Sequence, residues 1–270
     1  MTQITFIYLL ITVFRLHSEE LAGFYAMGDT PYAIEDHALL IAQIQNLVKN
    51  NALFAVHLGD IKTGSSKCEE SVYYRVAAYL RTSNLPMFVI VGDNEWNDCE
   101  NPKTAWGFWT NHFLHFDRHW DNSFSIRRDP DRKELFAFLH NSVLFVGVTL
   151  VGGKVHDHLE WSQRHADCSA WINSNIVNYN GQFQRLIVLS HATPTSMHDD
   201  FFYTLSKTAD SIDKPVLYIH GDGHKWIQDY PFGSARILRV QVDQGGIAPP
   251  VRISITDNPK APFIFDRRKH

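Results

Sequence analysis

Cysteine is scarce in this 270-residue chain: Cys68, Cys99 and Cys168 stand alone, with no Cys-x-x-Cys pair. That excludes a disulfide-dense miniature scaffold and a zinc knuckle. Basic clusters are also missing apart from the terminal Asp266-Arg267-Arg268-Lys269-His270, and the formal charge is −4 with a pI near 6.4. No nucleic-acid partner is expected. No apolar run reaches the roughly 20 residues of a membrane-spanning helix, so no stable membrane span is expected either. Residues 4–14 form an apolar run of signal-peptide length. Ser18 just beyond it suits a cleavage point, whereas Arg15 and the lack of a basic residue before the run suit an ordinary buried strand or helix. The expected organisation is a signal peptide over 1–18 and one domain over 19–270. That makes the protein secreted, periplasmic or luminal, and cytoplasmic if the segment is instead part of the fold. No repeat, low-complexity stretch or Pro/Gly-rich linker divides the remainder.

Histidine, by contrast, is abundant, with fifteen against four methionines. As the commonest metal ligand it hints at metal chemistry without locating it. Location comes from a recurring event: a short apolar run, rich in β-branched and aromatic residues, stops at a polar pair. The run 24–27 ends in Gly28-Asp29, 53–58 in Gly59-Asp60, and 87–91 in Gly92-Asp93-Asn94-Glu95. Later, 186–189 ends in Ser190-His191 and 216–220 in Gly221-Asp222-Gly223-His224. Apolar runs without alternation suit strands covered on both faces, as in parallel sheets. Helical patterns over 33–51 and 69–81 separate the first three runs. Asp29, Asp60 and Asp93 therefore stand about 30 residues apart, one βαβ unit each. Ligands in such sheets sit beyond the carboxyl ends of the strands, where all five endings meet.

The middle of the chain reads differently. Residues 101–120 are aromatic and irregular, an insertion packed over the sheet. The runs 136–140 and 143–148 flank Asn141-Ser142 as a hairpin. A helix is expected over 157–179, and the runs 235–242 and 251–255 are expected to complete a second sheet.

A carboxylate after a strand-end glycine is either a cap for the next segment or a ligand, and for one Gly-Asp the cap is the commoner explanation. Five convergent endings combining Asp, Asn and His argue for ligands. Carboxylate oxygens and neutral imidazoles form a mixed donor set suited to Mn, Fe, Zn or Mg. Two such ions can share one carboxylate, polarise a phosphoryl group and lower the pKa of a bound water.

The ordered set Gly-Asp, Gly-Asp, Gly-Asp-Asn-Glu, Ser-His and Gly-Asp-Gly-His resembles the calcineurin-like metallophosphoesterase superfamily, which includes the purple acid phosphatases, over about residues 22–256. The resemblance implies an α/β/β/α sandwich of two mixed β-sheets flanked by helices. It also implies hydrolysis of a small phosphorylated substrate with two divalent or trivalent metal ions as cofactors, a phosphatase in preference to a phosphodiesterase. By position, Asp29 and His224 would hold one ion, Asp60 would bridge, and Asp93, His191 and Asp222 would hold the other.

Three departures from the family pattern stand out. Pro31 replaces the histidine of Asp-x-His, leaving Tyr32 as an oxygen substitute or a packing residue. Asp222 replaces the first histidine of Gly-His-x-His. Asn94 replaces the histidine that sits beside substrate, so Asn94 and Glu95 become the expected catalytic residues. Tyr32, Lys62 and Asn94 are the expected substrate contacts, with Lys62 alternatively a solvated lysine. Trp96 and Trp226 either stack on a leaving group or pack, His198 is a proton donor or a surface histidine, and His220 points into the sheet. Cys68 and Cys99 each follow a strand-end motif and are natural disulfide partners if the chain is exported. The alternative to an enzyme is a degenerate member that binds metal or a phosphorylated ligand without turnover. A third reading is a metal-free scaffold whose Gly-Asp pairs are caps.

Overall fold

The computed structural model describes residues 18–268, so the expected signal peptide lies outside the described residues save for Ser18. Strand β1 (Glu20–Met27), helix α1 (Ile34–Gln45), strand β2 (Ala52–His57), helix α2 (Glu70–Leu80) and strand β3 (Met87–Val89) follow one another. The three strands pair in parallel with β2 central. Helix α1 ends well before Asn51, in a turn that takes Asn51 to φ 54°.

Residues Asp93–Asn97 form a single π-helical turn, after which comes helix α3 (Pro102–Phe113). This corrects the irregular reading of 101–120. Asn101 caps the helix by accepting a hydrogen bond from Thr104 N at 3.0 Å, Pro102 opens it without needing a donor, and Trp109 and Phe113 bury one face.

Next come β4 (Arg127–Arg128), β5 (Phe136–His140), β6 (Val143–Gly147), helix α4 (His158–Asn178) and β7 (Arg185–Leu189). Helix α5 (Asp199–Ile212), β8 (Val216–His220), β9 (Ile227–Asp229), β10 (Ile237–Gln241), β11 (Val251–Thr256) and β12 (Phe263–Asp266) complete the described chain. The β5–β6 hairpin turns through Asn141 and Ser142, whose φ values of 42° and 64° match a two-residue turn of inverted twist.

Two mixed sheets result. The first has the order β12-β11-β1-β2-β3 and the second β4-β5-β6-β7-β8-β10-β9. The placement of 251–255 in the second sheet is therefore wrong: β11 pairs antiparallel with β1, from Glu20↔Thr256 to Ala26↔Val251, and closes an edge that β1 would otherwise leave open.

Alternation along each strand builds the layers. Phe24, Phe54, Val56 and Phe88 of the first sheet meet Phe138, Phe145, Ile187 and Ile219 of the second in one buried core. Their neighbours Tyr25, Met27 and Ala55 face the opposite way, onto α1, α2 and α3. Leu186, Val188 and Tyr218 likewise turn out onto α4 and α5. The central strands are thus covered on both faces, which is why their sequences read as unbroken apolar runs. The protein is an α/β/β/α sandwich of two mixed sheets flanked by helices. Among the described residues, no helix is long and apolar enough to cross a membrane.

Candidate metal centre

The strand-end loops share an unusual backbone. Asp29, Asp60, Asp222 and His224 have φ values of 56°, 61°, 69° and 63°, in the left-handed region that non-glycine residues seldom adopt. Such strain clusters where surrounding structure holds a residue in place for function. Close approach completes the loops: a Cβ on Gly59 would lie 2.6 Å from His191 Nδ1, and one on Gly92 would collide with the Asp60 carboxylate.

Two groups of side chains converge there. In each, one ligand atom per residue lies within 4.8 Å of the others: Asp29, Asp60 and His224 form the first group, and Asp60, Asp93 and His191 the second. Asp60 belongs to both. His191 is wholly buried, and its Nδ1 donates to Leu58 O at 2.7 Å, which leaves Nε2 directed at Asp93 Oδ1 (2.9 Å) and Asp60 Oδ1 (3.3 Å). This is how a ligating imidazole has its tautomer and orientation set from behind. Asp93 Oδ1 also accepts from Gly152 N at 3.1 Å, and Asp29 Oδ1 from Asp222 N at 3.0 Å.

Charge is concentrated here. Burial pushes the Asp29 carboxyl up to about 7 and Asp60 well above the usual carboxylate range. Burial alone would lower His191, but the charge of Asp60 and the hydrogen bond to Asp93 raise it well above the ordinary imidazole value. Asp29 Oδ2 is buried and has no hydrogen-bond partner. Three carboxylates in one buried cluster, one with an orphaned oxygen, fit cations: a buried carboxylate otherwise needs a partner or a proton.

The other expected residues are distributed unevenly. Tyr32 lies inside the cluster, its hydroxyl donating to Asp60 Oδ2 at 2.9 Å, 3.5 Å from His224 Nε2, and accepting from the Asn94 side-chain amide at 3.1 Å. Asn94 also donates to Asp60, from its backbone N–H and from its amide. Asp222 is in neither group: its Oδ2 accepts from Thr193 N at 2.8 Å. Glu95 is fully buried and accepts from the backbone N–H groups of Asp60 (3.2 Å), Ile61 (3.2 Å) and Gly92 (2.5 Å). Its carboxylate staples the second loop to the third.

Lys62 is not solvated. It is buried, and its ammonium donates to Thr63 O at 2.8 Å and Asn94 O at 2.6 Å. His198 is not at the surface: it is buried, stacked on Trp161, and bonded through Nδ1 to His165 Nε2 at 3.0 Å. His220 is buried in its strand and donates to Gly221 O. Trp226 packs against Phe265 and under Arg267, and Trp96 against Trp106 and Arg164. A disulfide joins Cys68 to Cys99.

Sequence reading passed over Gly152, the backbone donor to Asp93; the Gly152-Gly153 pair following β6 was its signal. It also passed over Asn97, which is fully buried and donates to Lys154 O at 2.6 Å while accepting from Trp161 Nε1 at 3.1 Å. Asn97 thereby ties the third motif to the loop that carries Gly152.

No family model and no curated protein matches the sequence. Solved structures do resemble its fold. The crystal structure of 5'-nucleotidase from Candida albicans SC5314 superposes with a TM-score of 0.54 at 15% identity, covering 92% of this chain and 51% of that one. The chain thus spans about half the length of the nucleotidase chain. A second solved structure superposes with a TM-score of 0.48 at 8% identity, over 92% of this chain and 99% of the other. The likeness to the 5'-nucleotidase concerns the fold alone.

Proposed function

We propose that the protein is a hydrolase of phosphate esters that works with two metal ions, acting as a phosphatase on a small phosphorylated substrate. The observation that carries the reading is Asp60, a buried carboxylate shared by two ligand groups. Asp29 and His224 would hold one ion, and Asp93 and His191 the other, with Asp60 between them. Mn, Fe, Zn or Mg bound there would supply Lewis acidity and a water of lowered pKa. The fold neighbour is a 5'-nucleotidase by name, which supports the same chemistry.

The chain's own residues divide the remaining work. Tyr32 stands close enough to Asp60 and His224 to add an oxygen donor where the family has a histidine. Asn94 orients Asp60 and offers amide hydrogens on the side of Tyr32. Glu95 holds the loops from behind, its oxygens on three backbone N–H groups, so the catalytic role expected for it is not part of this reading. Lys62 stays on its carbonyl partners beside the carboxylates, and burial lowers its pKa from the usual lysine value. The Cys68–Cys99 disulfide supports maturation in an oxidising compartment, secreted, periplasmic or luminal.

Metal analysis of protein purified without chelator, paired with hydrolysis of an aryl phosphate before and after metal removal, tests the proposal. Bound metal and chelator-sensitive turnover are expected. Metal without turnover on any ester of a panel would return the chain to a binding role. Absence of metal, with no hydrolysis on adding Mn, Fe, Zn or Mg, would end the reading.

A further inference from the structure

The second and third motifs are tied to each other at three levels. At the ligands, Asn94 holds Asp60 at both carboxylate oxygens. Behind them, Glu95 accepts from the N–H groups of Asp60 and Ile61, and the Lys62 ammonium donates to Asn94 O at 2.6 Å. The third tie is covalent: the disulfide joins Cys68, at the end of the second-motif loop, to Cys99, just past the Asp93–Asn97 turn.

That bond lies against the backbone of the residues that orient Asp60. Each sulfur is 3.6 Å from Asn94 O. Tyr73, in the helix that follows Cys68, donates to Glu95 O at 2.7 Å, with its hydroxyl 3.8 Å from Cys99 Sγ. Residues 63–69 form neither helix nor strand, 64–67 are exposed, and the side-chain hydrogen bonds of Thr63, Ser65 and Ser66 stay within the loop. The loop nevertheless borders the centre, because a Cβ on Gly64 would lie 2.6 Å from Asn94 Oδ1. The disulfide thus anchors one end of a loop whose other end packs on the Asn94 side chain.

The bond is also within reach of a reductant. Cys68 is partly exposed, and both cysteines line a cavity of about 670 Å³ whose wall includes the exposed Ser66, Lys67 and Glu69. Glu69, Asp98 and Glu100 outnumber Lys67 on that wall, which favours an uncharged reductant over an anionic one.

We infer that the Cys68–Cys99 disulfide is a redox-sensitive switch on the metal centre: its reduction frees the 63–68 loop, releases Asn94 and weakens the hold of Asp60 on cations. The inference rests on the reading of that centre as a metal site. The reductant is a dithiol. One of its thiolates attacks the Cys68 sulfur, and Cys99 leaves as a thiolate that takes up a proton; the second thiol then attacks the mixed disulfide, releasing Cys68 as a thiol and leaving the reductant as a disulfide. Two thiols cannot stay at bonding distance, so the loop and the turn part. Each new S–H is a weak donor beside Asn94 O, where it competes with Lys62.

The test compares protein with the bond intact and protein reduced by dithiothreitol, an uncharged dithiol, then freed of reductant under argon. Titration calorimetry with Mn²⁺ is the readout, because oxygen donors suit that ion better than thiols do. Thiols counted in denaturant should rise from one, Cys168, to three. Near-UV circular dichroism should be kept, and Mn²⁺ should bind about 10–100-fold more weakly, the usual cost of losing a group that supports metal ligands. Reoxidation should restore the affinity. In Asn94→Ala, reduction should add less than about threefold, since residues acting through one another are not additive. The Cys68→Ala, Cys99→Ala protein should bind Mn²⁺ as weakly as reduced wild type and ignore dithiothreitol. Equal affinity in the two redox states would overturn the switch and leave the metal centre standing, whereas no Mn²⁺ binding even with the bond intact would overturn both. Loss of the near-UV signal on reduction, or the same fold-change in Asn94→Ala as in wild type, would also overturn the switch.

Discussion

Asn94 holds Asp60 at both carboxylate oxygens, its backbone N–H donating to Oδ1 at 3.1 Å and its side-chain amide to Oδ2. The residue shared by the two ligand groups is therefore oriented by Asn94, the residue expected to lie beside substrate. Asp60→Asn should empty both metal sites, whereas His224→Ala should empty chiefly one. Asn94→Ala should keep the ligands but loosen them, at a cost of about 10–100-fold in metal affinity or activity, as for other groups that support metal ligands from behind. Metal-to-protein stoichiometry decides the matter. Two metals per chain and normal turnover in Asp60→Asn would show that Asp60 is no bridge.

The disulfide bears on the same residue. Cys68 and Cys99 are 31 residues apart, and each sulfur lies 3.6 Å from Asn94 O, which accepts a hydrogen bond from the Lys62 ammonium. Closing a loop of that length stabilises by about 3–4 kcal/mol in the chain-entropy model. Denaturant unfolding of the Cys68→Ala, Cys99→Ala double variant should show a loss of that size. Peptide mapping without reductant should recover the linked pair from protein made in an oxidising compartment. Free thiols at both positions in such protein would contradict the pairing.

Buried histidines set an acid limit. Burial, with the nearby His165 adding to it, pushes His198 down to about 4; burial likewise pushes His57 to about 4 and His220 to about 3. For a base with a lowered native pKa, the unfolded chain binds more protons as pH falls below about 6.5, so stability is lost from there down towards the native value. The raised carboxyls of the metal centre work in the opposite direction, so the histidine contribution is read by difference. Relative to His198→Asn, wild type should lose on the order of 2–3 kcal/mol between pH 7.5 and 4.5. A pH-independent difference between the two proteins would mean that His198 is not held neutral.

The parts of this molecule that were legible in its sequence are those where one local signal suffices. Each unbroken apolar run became a strand covered on both faces, and the Gly-Asp endings brought Asp29, Asp60 and Asp93 within reach of each other. What stayed hidden needed tertiary information. The pattern of 251–255 says that a strand is buried but not which sheet it joins, and the open edge of β1 decided it. Lys62 reads as a substrate contact or a solvated lysine because lysine is seldom buried; the carbonyls of Thr63 and Asn94 that accept from it appear only in the fold. Helix α5 went unread although Asp199 and Asp200 open it and Phe201, Phe202, Leu205 and Ala209 give it a buried face. The aromatics of 101–120 masked a regular helix because their spacing was judged by bulk rather than by period. Asp222 followed the strand-end pattern, and its Oδ2 accepts from Thr193 N, a contact made only once β7 and β8 lie side by side.

The leaving group offers the sharpest test of the chemistry. Hydrolysis of a phosphate ester expels an oxyanion, which an enzyme either protonates or stabilises as it forms. Asn94 can donate hydrogen bonds but cannot give up a proton. Glu95 does not reach the open side, because its oxygens are held by three backbone N–H groups. His198 is buried, with its pKa held low, so it is the neutral imidazole, not the imidazolium, at neutral pH. None of Asn94, Glu95 and His198 is therefore poised as an acid for the departing oxygen, and general acid catalysis typically contributes about 10²–10⁴-fold. Aryl phosphates and phosphoanhydrides should then be cleaved far faster than simple alkyl phosphates. Across a series of substituted phenyl phosphates, rates should fall steeply as the leaving-group pKa rises, and Asn94→His should flatten that slope by restoring an imidazole beside the substrate. A shallow dependence in wild type, with bond cleavage shown to be rate-limiting, would require a proton donor elsewhere and would remove the explanation from Asn94.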